Sequence, residues 1–253
     1  MALLAGLAGA SMLAACGGSS SGPGGTGSTI LVALNIPSTA DPYVAGVITR
    51  GAQLAVDQAN ASGGVRVGSA TYTLALKKYD DNAQPQQAAS NVDSAVHDGA
   101  VAVIEDGIGF EASGGKSEAA GVPEVDITNG DTGLLGGEGQ APRASLFRLG
   151  IPNDAAAGLL STYVQSHTQT VALLHDDSGN GRDGSDQMVS NFKTNGVTLS
   201  PSNAIEVPAQ SPTIDAQVAA VKAANPGGIV LWGGDVFIAK AVTAFRSAGI
   251  TTP

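Results

Sequence analysis

Residues 101–132 (VAVIEDGIGFEASGGKSEAAGVPEVDITNGDT) read as strand, loop, helix, strand, loop, a succession that few folds accommodate. Val101 to Ile104 is a short apolar run of the kind buried on both faces of a sheet. Gly107, Gly109, Gly114 and Gly115 interrupt it, residues 116–120 complete a short predicted helix, and Gly121 stops that helix. Residues 123–127 are the next predicted strand, ahead of a polar loop at 128–133. Two parallel strands joined by a helix place both following loops at the carboxyl edge of the sheet, where open α/β sheets bind small ligands. A ligand site is therefore expected at these two loops.

The same alternation runs through the rest of the chain. Strands are predicted at 29–36, 71–79, 145–150, 170–175, 204–207 and 228–232. Between them lie predicted helices at 43–60, 84–98, 155–167 (with Asp154 as N-cap), 185–195, 214–224 and 236–248. Strands alternating with helices of this length imply an α/β fold of parallel sheets joined by right-handed crossovers. The pattern restarts after Ile151-Pro152-Asn153-Asp154, so two similar flavodoxin-like lobes are expected, 29–150 and 151–253, with a cleft between them.

The chain begins differently. Residues 2–15 are apolar or small and end in Leu13-Ala14-Ala15-Cys16, and residues 17–28 are Gly, Ser, Thr and Pro alone. This is the pattern of a lipoprotein signal at 1–16, with Cys16 as the lipidated residue and 17–28 as a flexible tether. No Lys or Arg precedes the apolar run, where such signals normally start basic. Cys16 is also the one cysteine of the 253 residues, so no internal disulfide can form. A net charge of −10 without a basic patch argues against nucleic acid as a partner.

Several motifs come close to known chemistry and miss. Gly179, Gly181 and Gly184 fit G-x-G-x-x-G, but Asp176, Asp177 and Ser178 stand where a dinucleotide fold needs a tight turn, and carboxylates there repel phosphate. Asp176, Ser178, Asn180 and Gly181 begin a calcium loop whose twelfth position, Gln187, lacks the bidentate carboxylate. Residues 109–117 miss the phosphate-binding loop by one residue. His97, His167 and His175 have no metal-ligand spacing, and no G-x-S-x-G elbow is present. Asp80 and Asp81 could be a catalytic acid pair, but neighbours on an extended chain point to opposite faces. No catalytic residue, cofactor or metal is expected.

In order along the chain stand the lipobox, Gly51-Ala52-Gln53-Leu54-Ala55-Val56, Asn60-Ala61-Ser62-Gly63-Gly64-Val65, Lys78-Tyr79-Asp80-Asp81, Asp98-Gly99, Gly121-Val122-Pro123, His175-Asp176-Asp177 and Ala223-Ala224-Asn225-Pro226. This ordered set, covering about Ile30 to the end, resembles the type I periplasmic solute-binding proteins of the Leu/Ile/Val-binding class. The resemblance implies a lipid-anchored, extracytoplasmic, non-enzymatic protein that closes two lobes on a small polar solute, an amino acid or related compound, and delivers it to an ABC permease. The same fold also serves as a sensor domain acting on a membrane signalling partner.

Family members hold an amino-acid carboxylate with hydroxyls and backbone N–H groups from the two loops named above. Here those loops offer Gly109 and Phe110, then Thr128 and Asn129, with no hydroxyl in the first. In the second lobe Asn180 and Asp235 stand where family pockets often carry aromatic residues, and Asp235 could pair with an ammonium group. Against the family pattern, the sequence reaches Thr251-Thr252-Pro253 where a further strand and a return crossing are expected. The stretch alone is thus expected to leave a sheet edge unpaired and to be marginally stable.

Overall fold

The computed structural model describes residues 29–136, 143–208 and 211–253. The expected signal and tether at 1–28, with Cys16, lie outside the described residues. Strand β1 (Thr29–Ile36) is followed by α1 (Pro42–Ala61), a hairpin of β2 (Val65–Val67) and β3 (Ala70–Asp80), α2 (Pro85–His97), β4 (Ala100–Glu105), α3 (Phe110–Ala120), β5 (Glu124–Asp126) and β6 (Leu146–Arg148). These strands form one sheet in the order β2-β3-β1-β4-β5-β6, parallel throughout except for the β2–β3 hairpin. The chain then runs through α4 (Asn153–Gln165), β7 (Thr170–Asp176), α5 (Gly179–Asn195), β8 (Thr198–Leu199), β9 (Ile205–Val207), α6 (Asp215–Ala224), β10 (Gly228–Trp232) and α7 (Asp235–Ser247). The second sheet places β10 on one side of β7, and β8 followed by β9 on the other, all parallel.

The apolar strands are the buried ones. Ala33, Leu34 and Ile36 of β1 and Val171 to Leu174 of β7 have no exposed surface, as expected of strands covered by helices on both faces. Met188 and Phe192 of α5 close one face of the second sheet, and Phe237, Ala241 and Phe245 of α7 the other. Helix boundaries follow local chemistry: Asp41 accepts from the Val44 N–H at 3.0 Å ahead of Pro42, and Gly121 and Gly196 end α3 and α5 with positive φ.

Three boundaries depart from the sequence reading. Helix α3 starts at Phe110 instead of near Lys116, so Gly114 and Gly115 lie inside it. Helix α5 starts at Gly179 instead of Ser185, so the glycine motif is its first two turns. Pro152, not Asp154, occupies the N-cap position of α4; Asp154 sits in the first turn and accepts from the Ala155 N–H at 2.8 Å. The glycines mislead because packing requires them inside helices: a Cβ on Gly114 would meet Leu146 at 2.6 Å, and one on Gly184 would meet the Trp232 indole at 1.8 Å. The short strands β2 and β8 were not legible in the hydrophobic pattern.

Candidate functional site

In the first sheet the chain reverses direction of winding at β1, between β3 on one side and β4 on the other. Ligands of such sheets bind outside the carboxyl ends of the strands at that switch point. Here β3, β4 and β5 all end in carboxylates: Asp80 and Asp81, Glu105 and Asp106, and Asp126. Parallel register sets Asn35 beside Tyr79 and Glu105, and Glu105 beside Asp126, so these side chains share a face. Asn35 donates to the Ala88 carbonyl at 3.1 Å and accepts from Asn91 at 2.9 Å, tying β1 to α2. Asp80 and Asp81 diverge as the extended chain requires. Asp80 is exposed and accepts from Thr39, while Asp81 has no exposed surface.

The carboxylates organise the loops that follow them. Glu105 accepts from the Gly107 N–H at 2.6 Å and the Gly109 N–H at 2.7 Å. Asp106 accepts from the Ile108 N–H at 3.1 Å, Asp81 from the Ala83 N–H at 2.8 Å, and Asp126 from the N–H groups of Thr128 at 2.9 Å and Asn129 at 3.0 Å. Burial works against their charge. It pushes Asp81 up to about 6, with the Ala83 N–H opposing and Asp80 adding repulsion. Asp106 is pushed up to about 7 by burial and then by the Asp81 charge. Burial raises Glu105 well above its ordinary range, with the charge of Asp106 adding to it, and burial also raises Asp126.

Of the expected ligand residues, Gly109, Thr128 and Asn129 gather at this edge. Gly109 is the N-cap of α3, packed so that a Cβ would fall 2.0 Å from that of Ala88. The Thr128 hydroxyl donates to the Asp106 carbonyl, and the Asn129 amide donates to the Gly107 carbonyl at 2.8 Å, locking the two loops together. Phe110 faces the other way: its side chain has no exposed surface and packs with Leu134 and Leu146 in the core. Asn180 reaches the same edge from the second lobe. Asp235 is exposed at the start of α7, its carboxylate accepting from the Val236 N–H at 2.8 Å.

The two lobes meet at the loop after β5. Asn180 Oδ1 accepts from the Gly130 N–H at 3.1 Å and from Asn153 Nδ2 at 2.9 Å. Asp183 accepts from the Thr132 N–H at 3.1 Å, the Thr132 hydroxyl at 2.7 Å and Asn153 Nδ2 at 2.8 Å. In the second sheet Asp176 closes the strand ends, accepting from Ser178 with one oxygen and from the Gly234 N–H at 2.7 Å with the other. Helices α3, α5 and α7 all begin at these facing edges, presenting N-terminal N–H groups suited to an anion. The sequence reading gave no role at this edge to Glu105, Asp106, Asn153 or Asp183, and weighed Asp81 only as half of an acid pair with Asp80. Its one available signal was that strand after strand ends in an acid. Two shallow concavities of about 360 and 430 Å³ lie elsewhere, over α6 and α7.

A family model described as periplasmic binding protein matches residues 37–253. Among solved structures, a periplasmic binding protein type 1 from Bordetella pertussis Tohama I superposes with a TM-score of 0.77 at 23% identity, covering 89% of this chain and 61% of its own. The leucine binding protein LivK from Thermotoga maritima gives 0.73 at 17% identity, with 88% and 61% covered. The branched-chain amino acid binding protein LivJ from Streptococcus pneumoniae, in complex with isoleucine, gives 0.73 at 23% identity, with 89% and 63% covered. A solute binding protein from Rhodopseudomonas palustris, in complex with 3,4-dihydroxy benzoic acid, gives 0.73 at 18% identity, with 88% and 59% covered. The chain thus spans about three fifths of the length of the solved structures it resembles. No curated protein matches the sequence.

Proposed function

The chain belongs to the periplasmic binding protein family, whose members are extracytoplasmic solute-binding proteins, and from that premise we propose that it captures a small polar solute for an ABC permease. The solute carries a carboxylate and is an amino acid or a related compound. Isoleucine and 3,4-dihydroxy benzoic acid, bound by two structural relatives, both have that group. The observation that supports this reading best is the meeting of the two carboxyl sheet edges through Gly130–Asn180 and Thr132–Asp183. A solute held between those edges contacts N–H groups of both lobes and selects the closed form over the open one. The protein performs no chemistry on it. Asp235 is the candidate partner for an ammonium group, and Gly109, Thr128, Asn129 and Asn180 frame the carboxylate side. Phe110 acts from behind, by holding α3 in place.

A thermal-shift screen against amino acids, amides, polyamines, aromatic acids and sugars tests this. A solute at about 100 times its Kd stabilises the native state by about 2.7 kcal/mol. The expected result is a shift with one carboxylate-bearing solute, reduced in Asp235→Ala when that solute is an amino acid. A shift with sugars alone would discard the substrate class and keep the fold. We further propose that Cys16 anchors the protein to the membrane. Radiolabelled palmitate fed to the expressing cells should enter the protein and should not enter Cys16→Ser.

A further inference from the structure

The strand-end carboxylates of the first lobe are arranged for more than loop capping. Asp81, Glu105 and Asp106 each offer an oxygen, and these oxygens lie within 4.8 Å of one another. Separations up to that bound fit two oxygens on one Ca2+, which at about 2.3–2.6 Å stand at most about 4.6–5.2 Å apart, and Mg2+ gives up its own waters more reluctantly to an all-protein site. The donors that reach the trio are backbone N–H groups, from Ala83, Gly107, Ile108 and Gly109. A carboxylate accepts about four hydrogen bonds, so lone pairs remain. No cationic side chain balances the charge: the four ion pairs among the described residues involve none of the three.

A second observation is independent of that clustering. Among the described residues, two buried side-chain oxygens lack any hydrogen-bond partner, Asp81 Oδ2 and Asp126 Oδ2. The first belongs to the trio. The second lies on the neighbouring strand in register with Glu105, and its charge acts on Asp106. In the second lobe, the strand-end carboxylate Asp176 has both oxygens engaged by donors. The deficit is thus confined to one place, and leaving a buried acceptor unmet is costly.

We propose that Asp81, Glu105 and Asp106 form a binding site for a hard metal cation of the Ca2+ class, seated beneath the loops at the first lobe's switch point. The three residues are 0%, 0% and 2% exposed, which suits a bare ion and not an ammonium group carried by a solute. The cation ties together the loops after β3 and β4, because the same carboxylates hold Ala83, Gly107, Ile108 and Gly109. It is thereby set to stiffen the edge against which the second lobe closes.

The test is calorimetric titration of the EDTA-treated, buffer-exchanged chain with CaCl2, with MgCl2 in parallel, and thermal melting at each point. One equivalent of Ca2+ is expected to bind saturably and raise the melting temperature, with Mg2+ at least tenfold weaker. Asp81→Asn keeps an acceptor for the Ala83 N–H and removes the charge. It should melt normally without calcium and bind Ca2+ at least tenfold more weakly. Asp106→Asn gives the same reading independently, should the first variant fail to fold. Absence of saturable Ca2+ binding to the wild type would overturn the proposal, leaving shared protons as what meets the orphaned oxygens. Saturable binding unchanged in the folded variants would overturn it equally, by placing the ion elsewhere.

Discussion

Glu124 shows what a single buried group contributes. It has no exposed surface at the start of β5, and the hydroxyls of Ser113 and Ser117 donate to its two oxygens. Burial pushes its carboxyl above the ordinary range, and the two hydroxyls and the Arg143 charge only partly offset this. A carboxyl whose native value is raised binds more protons folded than unfolded, so its contribution is present at acid pH and lost as pH rises through the native value. Glu124→Gln should therefore show a flatter stability profile than wild type as pH rises from the ordinary carboxyl range toward neutrality, read from urea midpoints. Equal slopes would mean the carboxyl is ionised in the native state at acid pH. Nothing in the sequence marked this residue: it stands in a strand pattern at an interior position, and its burial follows from the packing of α3 over β5.

At the scale of the element, α3 separates two adjacent glycines by face. Gly114 is buried and has Leu146 within 2.6 Å of where its Cβ would be, while Gly115 is exposed, and the nearest atom to its Cβ would be the Arg143 guanidinium at 3.9 Å. Gly115→Ala should raise stability by about 0.5–1 kcal/mol through helix propensity. Gly114→Ala should lower it by about 1–3 kcal/mol through overpacking. Opposite signs in chemical denaturation are the check. Helix α5 repeats the lesson on a motif. Gly181 and Gly184 look like part of a phosphate-binding fingerprint, yet a Cβ at either would strike Asp176 or Trp232, so close packing on the strands accounts for both. Gly184→Ala should destabilise for that reason, by about 1–3 kcal/mol or more in the same assay.

At the scale of the whole molecule, the relation between lobes rests in part on few polar contacts. Asp183 accepts two of them, from the Thr132 N–H and hydroxyl, and Asn153, 4% exposed, braces Asp183 and Asn180 from within the second lobe. Asp183→Ala leaves the Thr132 N–H and one amide hydrogen of Asn153 without their partner, which should cost about 1–3 kcal/mol. It should also weaken the hold of the loop after β5 on α5, so the solute-free protein is expected to show a larger radius of gyration by small-angle scattering. An unchanged radius would mean that apolar contacts alone set the lobe arrangement.

The sequence by itself determined the order and type of the long elements, because an apolar period of two or of 3.6 needs no distant partner to be read. It also placed the loops after β4 and β5 at a sheet edge, since parallel strands joined by helices allow no other location. The tertiary structure decided what those loops contain. Phe110 became core and Gly109 a helix cap, because α3 begins at Phe110 and not near Lys116, where its glycines suggested. Asp81 stands far along the chain from the adjacent pair Glu105 and Asp106, after a different strand, yet the parallel register of β3, β1 and β4 brings the three carboxylates together. Their burial and the unmet oxygen of Asp81 belong to that meeting and to no local pattern.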